Sequence, residues 1–147
     1  ILGPRRENPQ SIRGTKYDCI MLGLWVESSH GQDLKAGAWD GFYTYFATDG
    51  MTYGSSHRNW KVLKQFAALN EMIFVPSIGP GYVDTAIRPW NADNTRDRKG
   101  GEYYANSWKD ASELNPQIIS ITSFNEWHEG TQVCVWVWVW VCVVVYV

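Results

Sequence analysis

The sequence predicts an α/β fold in which a parallel sheet is covered by helices, and three observations lead to that prediction. Four runs of strand length are predominantly apolar, as expected for strands buried on both faces. Segments with helical character lie between these runs. The resulting order is β-α-β-α-β-α-β, with one strand and one helix in roughly every 35 residues, which is the length of one βα unit.

Each element is assigned from its hydrophobic pattern and from the residues that end it. We expect strands over residues 17–25, 39–47, 72–78 and 117–124, and helices over residues 27–36, 60–71 and 102–114. Gly37 ends the first helix, and Asn59 is expected to cap the second. Asn115 ends the third helix because it precedes Pro116, and the residue before a proline disfavours helical backbone.

Two architectures fit this order of elements, half of an eight-stranded barrel and a doubly wound sheet. No GxGxxG motif follows a strand, which disfavours a nucleotide-binding doubly wound sheet. Long loops rich in Gly, Tyr and Trp follow the strands instead, at 48–59, at 79–101 and from 127 onward. Active sites of (β/α)8 barrels lie at that face, and such barrels need about 250 residues. The sequence therefore predicts a partial (β/α)8 TIM barrel of about four parallel βα units over residues 1–132.

Residues 133–147 form a hydrophobic low-complexity tail that reads VCVWVWVWVCVVVYV. A transmembrane helix needs about 20 residues, and β-branched and aromatic residues suit helices poorly. The codons of Val, Cys, Trp and Tyr can be built almost entirely from alternating G and T. We interpret this C-terminal tail as an artefactual gene-model run-on, the alternative being a real hydrophobic strand or anchor.

Composition excludes some functions and leaves others open. A formal net charge of -2 gives no electrostatic basis for binding nucleic acid. Cys19 is the single cysteine before the tail, so a disulfide framework within residues 1–132 is not expected. The chain begins at Ile1 without a signal peptide, and we expect that it is cut at both ends.

The most informative motif is a pair of glutamates that follows the last predicted strand. Residues 118–130 read IISITSFNEWHEG, which places Glu126 and Glu129 three positions apart after a β-branched run. Hydrolysis of a glycosidic bond uses two carboxyl groups, one of which protonates the leaving oxygen. The alternative is a solvent-exposed pair, but the strand and the flanking aromatic residues favour a catalytic pair.

The neighbours of the glutamates are candidates for binding a sugar. Asn125 would orient a hydroxyl or a carboxylate, Trp127 would stack on a pyranose ring, and His128 would hydrogen-bond a hydroxyl. Turn formation and core packing are the alternatives for Asn125 and Trp127. We expect no metal, since there is no HExxH motif and His30 and His57 lie in separate segments.

Further candidates lie in the second predicted strand and in the loop after the third. Tyr43 and Tyr45 alternate with their neighbours and would share one face of the strand, with Tyr43 expected to be buried. Arg88 is a fixed cation beside Trp90, and we expect both at the substrate, with a structural salt bridge as the alternative for Arg88. Four residues are weaker candidates: Asp49, His57, Asp84 and Asn91.

Six blocks of sequence resemble the glycoprotein endo-α-1,2-mannosidases. They read SIRGTKYD, GFYTYFATDG, YGSSH, FVPSIGPGY, IRPWN and ITSFNEWHEGTQ, and they occur in the family's order. The resemblance runs from about Asn8 to Gln132 and stops at Val133. It implies a (β/α)8 barrel that cleaves, with retention, an internal α-1,2-mannosidic bond in the glucosylated arm of a high-mannose N-glycan. It also implies a lumenal Golgi enzyme held by a membrane anchor that is absent from this segment, with no metal or other cofactor.

The resemblance assigns roles to four residues. It implies that Glu126 is the base that deprotonates the 2-hydroxyl of the substrate, so that this oxygen attacks the anomeric carbon and forms a 1,2-anhydro sugar. Glu129 would protonate the leaving group and later activate water. Tyr45 and Arg88 would contact the substrate.

Three hypotheses remain open from the sequence. The first is this endo-α-mannosidase, with the present chain inactive and insoluble by itself because half of the barrel is missing; Cys19 also stands where the family would have glycine. The second is another retaining barrel hydrolase with a distant nucleophile. The third is a truncated glycan-binding module without catalysis.

Overall fold

The computed structural model describes residues 9–133, and the predicted tail lies outside this range apart from Val133. The strands and helices are β1 (Leu22–Leu24), α1 (His30–Ala36), β2 (Gly41–Tyr43), α2 (Trp60–Leu69), β3 (Ile73–Val75), β4 (Ser77–Ile78), α3 (Glu102–Ser112) and β5 (Ser120–Ile121). Short 3₁₀ turns lie at His57–Asn59, Pro89–Asn94 and Lys99–Gly101. Within the described range, no helix has the length and hydrophobicity needed to cross a membrane.

The strands are parallel, as predicted, but they form two small sheets. One has the order β1-β2-β3, with Phe42 opposite Phe74, and the other joins β4 to β5, with Ile78 opposite Ile121. The prediction of one strand over residues 72–78 was wrong because the run divides at Pro76. Proline has no N–H to donate to a sheet, and the Pro76 carbonyl accepts a hydrogen bond from Ser120 instead.

The strands are also shorter than the sequence predicted. In the run 39–47, strand pairing ends at Tyr43, and Tyr45 has a φ of +57°, in the left-handed region. The expectation that Tyr43 and Tyr45 share one face of a strand was therefore wrong. Tyr43 is half-buried rather than buried. The last strand ends at Ile121, so the glutamates lie beyond it in a turn.

The three helices form close to the predicted positions and enclose the core. An aromatic cluster joins strands and helix, with ring centroids 4.6 Å apart for Trp25 and Phe42, 5.0 Å for Trp25 and Phe66, and 5.3 Å for Phe42 and Phe74. Asn59 occupies the N-cap position of α2, but its amide donates to the Tyr53 carbonyl and does not cap the helix. With the strands fixed in parallel by this core, their carboxyl ends point to one edge, where the long loops begin.

Candidate functional site

Polar contacts between neighbouring strands hold Tyr45 at this edge. The Tyr45 N–H donates to the Ser77 hydroxyl at 2.7 Å, and the Thr122 hydroxyl donates to the Tyr45 carbonyl. The hydroxyls of Ser77 and Ser120 are 2.6 Å apart. The left-handed residue after β2 is thus fixed by the segments of β4 and β5, although its own side chain is 43% exposed.

A closed turn after β5 presents the two glutamates. Ser123 and Thr131 pair at its base, where the Ser123 N–H donates to the Thr131 carbonyl at 2.9 Å and the two hydroxyls are 2.7 Å apart. The Glu126 N–H donates to the Ser123 hydroxyl at 3.0 Å, and the Glu126 carbonyl accepts from Thr131 at 3.2 Å. The glutamates therefore occupy a constrained turn rather than the end of the strand itself.

A backbone hydrogen bond joins this turn to the loop after β4. The Val83 N–H donates to the Glu129 carbonyl at 2.9 Å, and Gly130 has a φ of +61°. A methyl group added at Gly130 would lie 2.6 Å from Val83 Cγ1 and 3.2 Å from the Val83 backbone N and O. Glycine is therefore required at this position both by the backbone conformation and by the close approach of Val83.

Arg88 links two carboxylates from different segments. Its Nη1 lies 2.9 Å from Glu129 Oε1 and 3.0 Å from Asp84 Oδ2. The hydrogen bonds to Asp84 and then to Glu129 raise the pKa of the Arg88 guanidinium above its usual value. The Arg88 side chain is 42% exposed, whereas that of Asp84 is fully buried. The guanidinium therefore joins the buried Asp84 carboxylate to the more accessible Glu129 carboxylate.

Three donors converge on one oxygen of Asp84. Besides Arg88, the Tyr82 hydroxyl and the Asn91 amide each donate to Asp84 Oδ2 at 2.9 Å. Burial raises the pKa of the Asp84 carboxyl, but the bonds from Asn91, Arg88 and Tyr82 together outweigh burial and hold the pKa below its ordinary value. Asp84 is therefore a buried carboxylate that keeps its negative charge.

Two tyrosines, Tyr82 and Tyr45, have raised pKa values, in part because of the charge of Glu129. Burial, the hydrogen bond to Asp84 and the charge of Glu129 raise the pKa of Tyr82 to about 12. Burial and the charges of Glu129 and Glu126 raise the pKa of Tyr45. The Tyr45 phenol therefore stays protonated near neutral pH. Tyr82 was missed by the sequence analysis, although its position two residues before Asp84, after a Gly-Pro-Gly turn, was an available signal.

Within the described residues, the side chains of the remaining predicted site residues make no hydrogen bond to this network. Asn125 and His128 are exposed in the turn of the glutamates, Trp127 is 65% exposed, and Trp90 is 81% exposed in the loop after Arg88. The two tryptophans offer open aromatic surfaces next to the turn and the Arg88 loop. Aromatic faces of this kind bind the apolar faces of sugar rings.

The weaker candidates divide between two places. Asp84 and Asn91 belong to the network described above. His57 and Asp49 belong to another contact, where the His57 ring lies 2.7 Å from Asp110 Oδ2 and the His57 N–H donates to Asp49 at 2.8 Å. Within residues 9–133, no three His, Cys, Asp or Glu side chains are placed to hold a metal ion.

The arrangement suits acid–base chemistry on a polyhydroxylated substrate. Glu126 is exposed and, within the described residues, its side chain has no hydrogen bond, so both carboxylate oxygens are accessible to a ligand. Glu129 has one oxygen held by Arg88, which leaves the other oxygen available to a ligand. The phenol of Tyr45 and the guanidinium of Arg88 supply donors for hydroxyl groups.

Comparisons with known proteins identify the family of this chain. Residues 5–147 match the family described as glycosyl hydrolase family 99. Over 124 residues the chain is 58% identical to the glycoprotein endo-alpha-1,2-mannosidase of Xenopus laevis. Over 125 residues it is 54% identical to the glycoprotein endo-alpha-1,2-mannosidase-like protein of Homo sapiens. The solved structure of the GH99 endo-alpha-mannosidase from Bacteroides thetaiotaomicron superposes with a TM-score of 0.83 at 50% identity.

The alignments cover most of this chain and a smaller part of each relative. They include 84% of the chain and 28% of the Xenopus laevis protein, and 85% of the chain and 27% of the human protein. The structural match includes 86% of the chain and 37% of the bacterial chain. The chain thus spans between 27% and 37% of the length of each of these relatives.

Proposed function

Because this chain belongs to glycosyl hydrolase family 99, we propose that its parallel βα units form part of a (β/α)8 barrel that hydrolyses glycans. The proposed substrate is the glucosylated arm of a high-mannose N-glycan, cut at an internal α-1,2-mannosidic bond. The observation that carries the proposal is the contact of Arg88 Nη1 with Glu129 Oε1 at 2.9 Å, in a turn that also presents Glu126.

The proposed reaction has two steps and needs no covalent bond to the protein. In the first step, Glu126 takes the proton of the 2-hydroxyl and O2 attacks the anomeric carbon. The bond to the leaving oxygen breaks, and that oxygen receives a proton from Glu129. In the second step, water attacks the anomeric carbon of the 1,2-anhydro sugar and gives its proton to Glu129, while Glu126 returns its proton to O2. Two inversions give net retention.

The other exposed groups fit the binding of an extended oligosaccharide. Trp90, Trp127, Asn125 and His128 are proposed to contact sugar units beside the cleaved bond, since they are exposed near the turn and the Arg88 loop. By the resemblance described above, the protein is proposed to work in the Golgi lumen, attached through an anchor outside the described residues. Immunofluorescence against a Golgi marker checks this location.

A complete catalytic domain is needed to test the activity, since the chain matches only 28% of the Xenopus laevis relative. The test protein is a hybrid in which residues 9–132 of this chain replace the matching segment of that relative. We expect the hybrid to release an intact glucosyl-mannose oligosaccharide from a glucosylated high-mannose glycan, with the α configuration retained by NMR. Release of single mannose units, or a folded hybrid without activity, would contradict the proposal.

The same hybrid separates the proposed mechanism from that of another retaining barrel hydrolase. A substrate with fluorine in place of the 2-hydroxyl lacks the attacking oxygen, so we expect neither cleavage nor a covalent adduct. Accumulation of a glycosyl-enzyme ester, detected by mass spectrometry, would favour a carboxylate nucleophile.

A further inference from the structure

We propose that Asp84 is a positioning residue that holds Arg88 against Glu129 and offsets the charge of Arg88, so that Glu129 can act as the proton donor. This inference rests on the proposed function and adds a role for a residue that does not itself touch the substrate. It starts from one atom: Arg88 Nη1 is shared between Asp84 Oδ2 at 3.0 Å and Glu129 Oε1 at 2.9 Å.

Asp84 restricts the position of Arg88. Arginine has a long side chain with many rotamers, and that of Arg88 is 42% exposed. Its anchor is fixed because Asp84 is fully buried and its Oδ2 also accepts from Tyr82 and Asn91. The Asp84 loop additionally holds the backbone of Glu129, through the bond from the Val83 N–H to the Glu129 carbonyl. One loop thus fixes both the backbone and the carboxylate of Glu129.

Asp84 also offsets the positive charge of Arg88. A cation within hydrogen-bond distance favours the ionised form of a carboxylate, whereas a general acid must carry a proton before the first step. Asp84 shares the Arg88 cation and reduces this conflict. Other charged or titratable groups lie near Glu129: Tyr45 from the segment after β2, Tyr82 from the segment after β4, Glu126 and His128 from its own turn, and Arg98, whose guanidinium donates to the Gly130 and Gln132 carbonyls. Among the described residues, Arg88 is the cation that contacts the Glu129 carboxylate itself, and Asp84 is its other carboxylate partner.

Asp84→Asn removes the charge of Asp84 and can keep the three hydrogen bonds to its Oδ2 position. Within the described residues, Asp84 Oδ1 is buried without a hydrogen-bond partner, and all three donors bind Oδ2. The amide oxygen of asparagine can take the place of Oδ2 and keep these three bonds. Its NH2 group then occupies the place of Oδ1. The variant removes the negative charge and leaves Glu129 as the single carboxylate partner of Arg88.

The test compares two substrates in the hybrid catalytic domain. One is the glucosylated glycan, whose sugar leaving group needs a proton, and the other is an aryl glycoside with an acidic phenol, which needs little. Asp84→Asn should lower kcat/KM for the glycan by about 10- to 100-fold and for the aryl glycoside by less than about threefold. The loss for the glycan should appear in kcat with KM unchanged, because Asp84 acts on the position and surroundings of the reacting carboxylate and does not contact the substrate.

Controls separate positioning from general damage. Asp110→Asn makes the same chemical change in the ion pair with His57 and should leave both substrates unaffected. Combining Asp84→Asn with Arg88→Met should give less than the product of the two single effects, since Asp84 acts through Arg88. If Asp84→Asn does not fold, Asn91→Ala replaces it, since it removes one donor to Oδ2. Asn91→Ala should lower kcat severalfold for the glycan with KM unchanged.

Two results would overturn the inference while leaving the proposed function intact. One is an active hybrid in which Asp84→Asn affects both substrates equally. The other is an active hybrid in which Asp84→Asn raises KM for the glycan and leaves kcat unchanged. An inactive, folded wild-type hybrid would instead contradict the proposed function itself.

Discussion

Substituting alanine for Gly130 tests whether the contact between the glutamate turn and the Val83 loop positions Glu129, the proposed proton donor. Gly100 provides a matched control because the two backbones are nearly identical, with φ of +61° at Gly130 and +62° at Gly100. Their surroundings differ. A methyl group at Gly100 meets nothing within 4 Å, whereas one at Gly130 meets Val83 Cγ1 at 2.6 Å and the Val83 backbone at 3.2 Å.

The expected magnitudes follow from this difference. The left-handed backbone costs an L-residue roughly 1–2 kcal/mol, and this cost applies to both variants. Gly130→Ala adds overpacking, which typically costs about 1–3 kcal/mol. Rotation of the Val83 side chain relieves the contact with Cγ1, but the backbone N and O of Val83 must still move. The bond from Val83 to the Glu129 carbonyl then transmits that shift to Glu129.

Urea unfolding and initial rates in the hybrid catalytic domain measure the two effects. Gly100→Ala should lose about 1–2 kcal/mol of unfolding free energy and keep its activity within about twofold. Gly130→Ala should lose about 2–5 kcal/mol and about 100-fold in kcat, the cost of displacing a reacting group by about 1 Å. Equal losses of stability and activity in the two variants would refute the reasoning.

Three further predictions concern the network and the core. Arg88→Met should lower kcat/KM for the glycan by roughly 10- to 150-fold, since one charge-assisted hydrogen bond is worth about 1.5–3 kcal/mol, and Arg88→Lys should recover part of the loss; unchanged rates would exclude a role for the guanidinium. Tyr82→Phe should remove from the spectrophotometric titration one tyrosine that ionises near pH 12. Because the pKa of Tyr82 is raised in the fold, its contribution to stability is complete below about pH 10 and is lost as pH rises toward about 12, so the urea midpoint of Tyr82→Phe should fall less steeply in that range. Phe42→Ala should cost about 3–5 kcal/mol in urea unfolding, because its fully buried ring packs on Trp25 and Phe74; a loss below 1 kcal/mol would show that this cluster is not the core.

The helices and the parallel arrangement of strands were predictable from the sequence because they depend on local patterns. The helix over 60–71 has an apolar stripe that includes Trp60 and Leu63, and both residues are buried in the structure. Continuous apolar runs favour parallel strands with both faces covered, and the three-stranded and two-stranded sheets are both parallel. These signals need no knowledge of distant contacts.

The ends of the strands depend on contacts that a sequence pattern does not contain. The alternation through Tyr43 and Tyr45 suggests a strand that continues, but a hydrogen bond to Ser77, 32 residues later, holds Tyr45 in a left-handed backbone. The division of residues 72–78 at Pro76 also depends on a new partner, since Ser120 donates to its carbonyl. Strand length in this chain is therefore decided by tertiary pairing.

Some residues of the candidate site could be selected from sequence motifs. Those whose importance depends on burial could not. The ExxE pair and the IRPWN block directed attention to Glu126, Glu129 and Arg88. Asp84 was a weaker candidate and Tyr82 was missed, because nothing in the sequence shows that one carboxylate is fully buried and receives three donors.

The central claim is that Glu126 and Glu129 carry out the chemistry, and isosteric replacement of each by glutamine in the hybrid tests it most directly. General acid–base groups contribute about 10²- to 10⁴-fold to rate, so Glu126→Gln and Glu129→Gln should each lower kcat for the glucosylated glycan by at least about 100-fold. Glu113→Gln, at an exposed position after α3, should leave kcat unchanged. A Glu126→Gln or Glu129→Gln hybrid that retains more than about a tenth of the wild-type kcat would contradict the account.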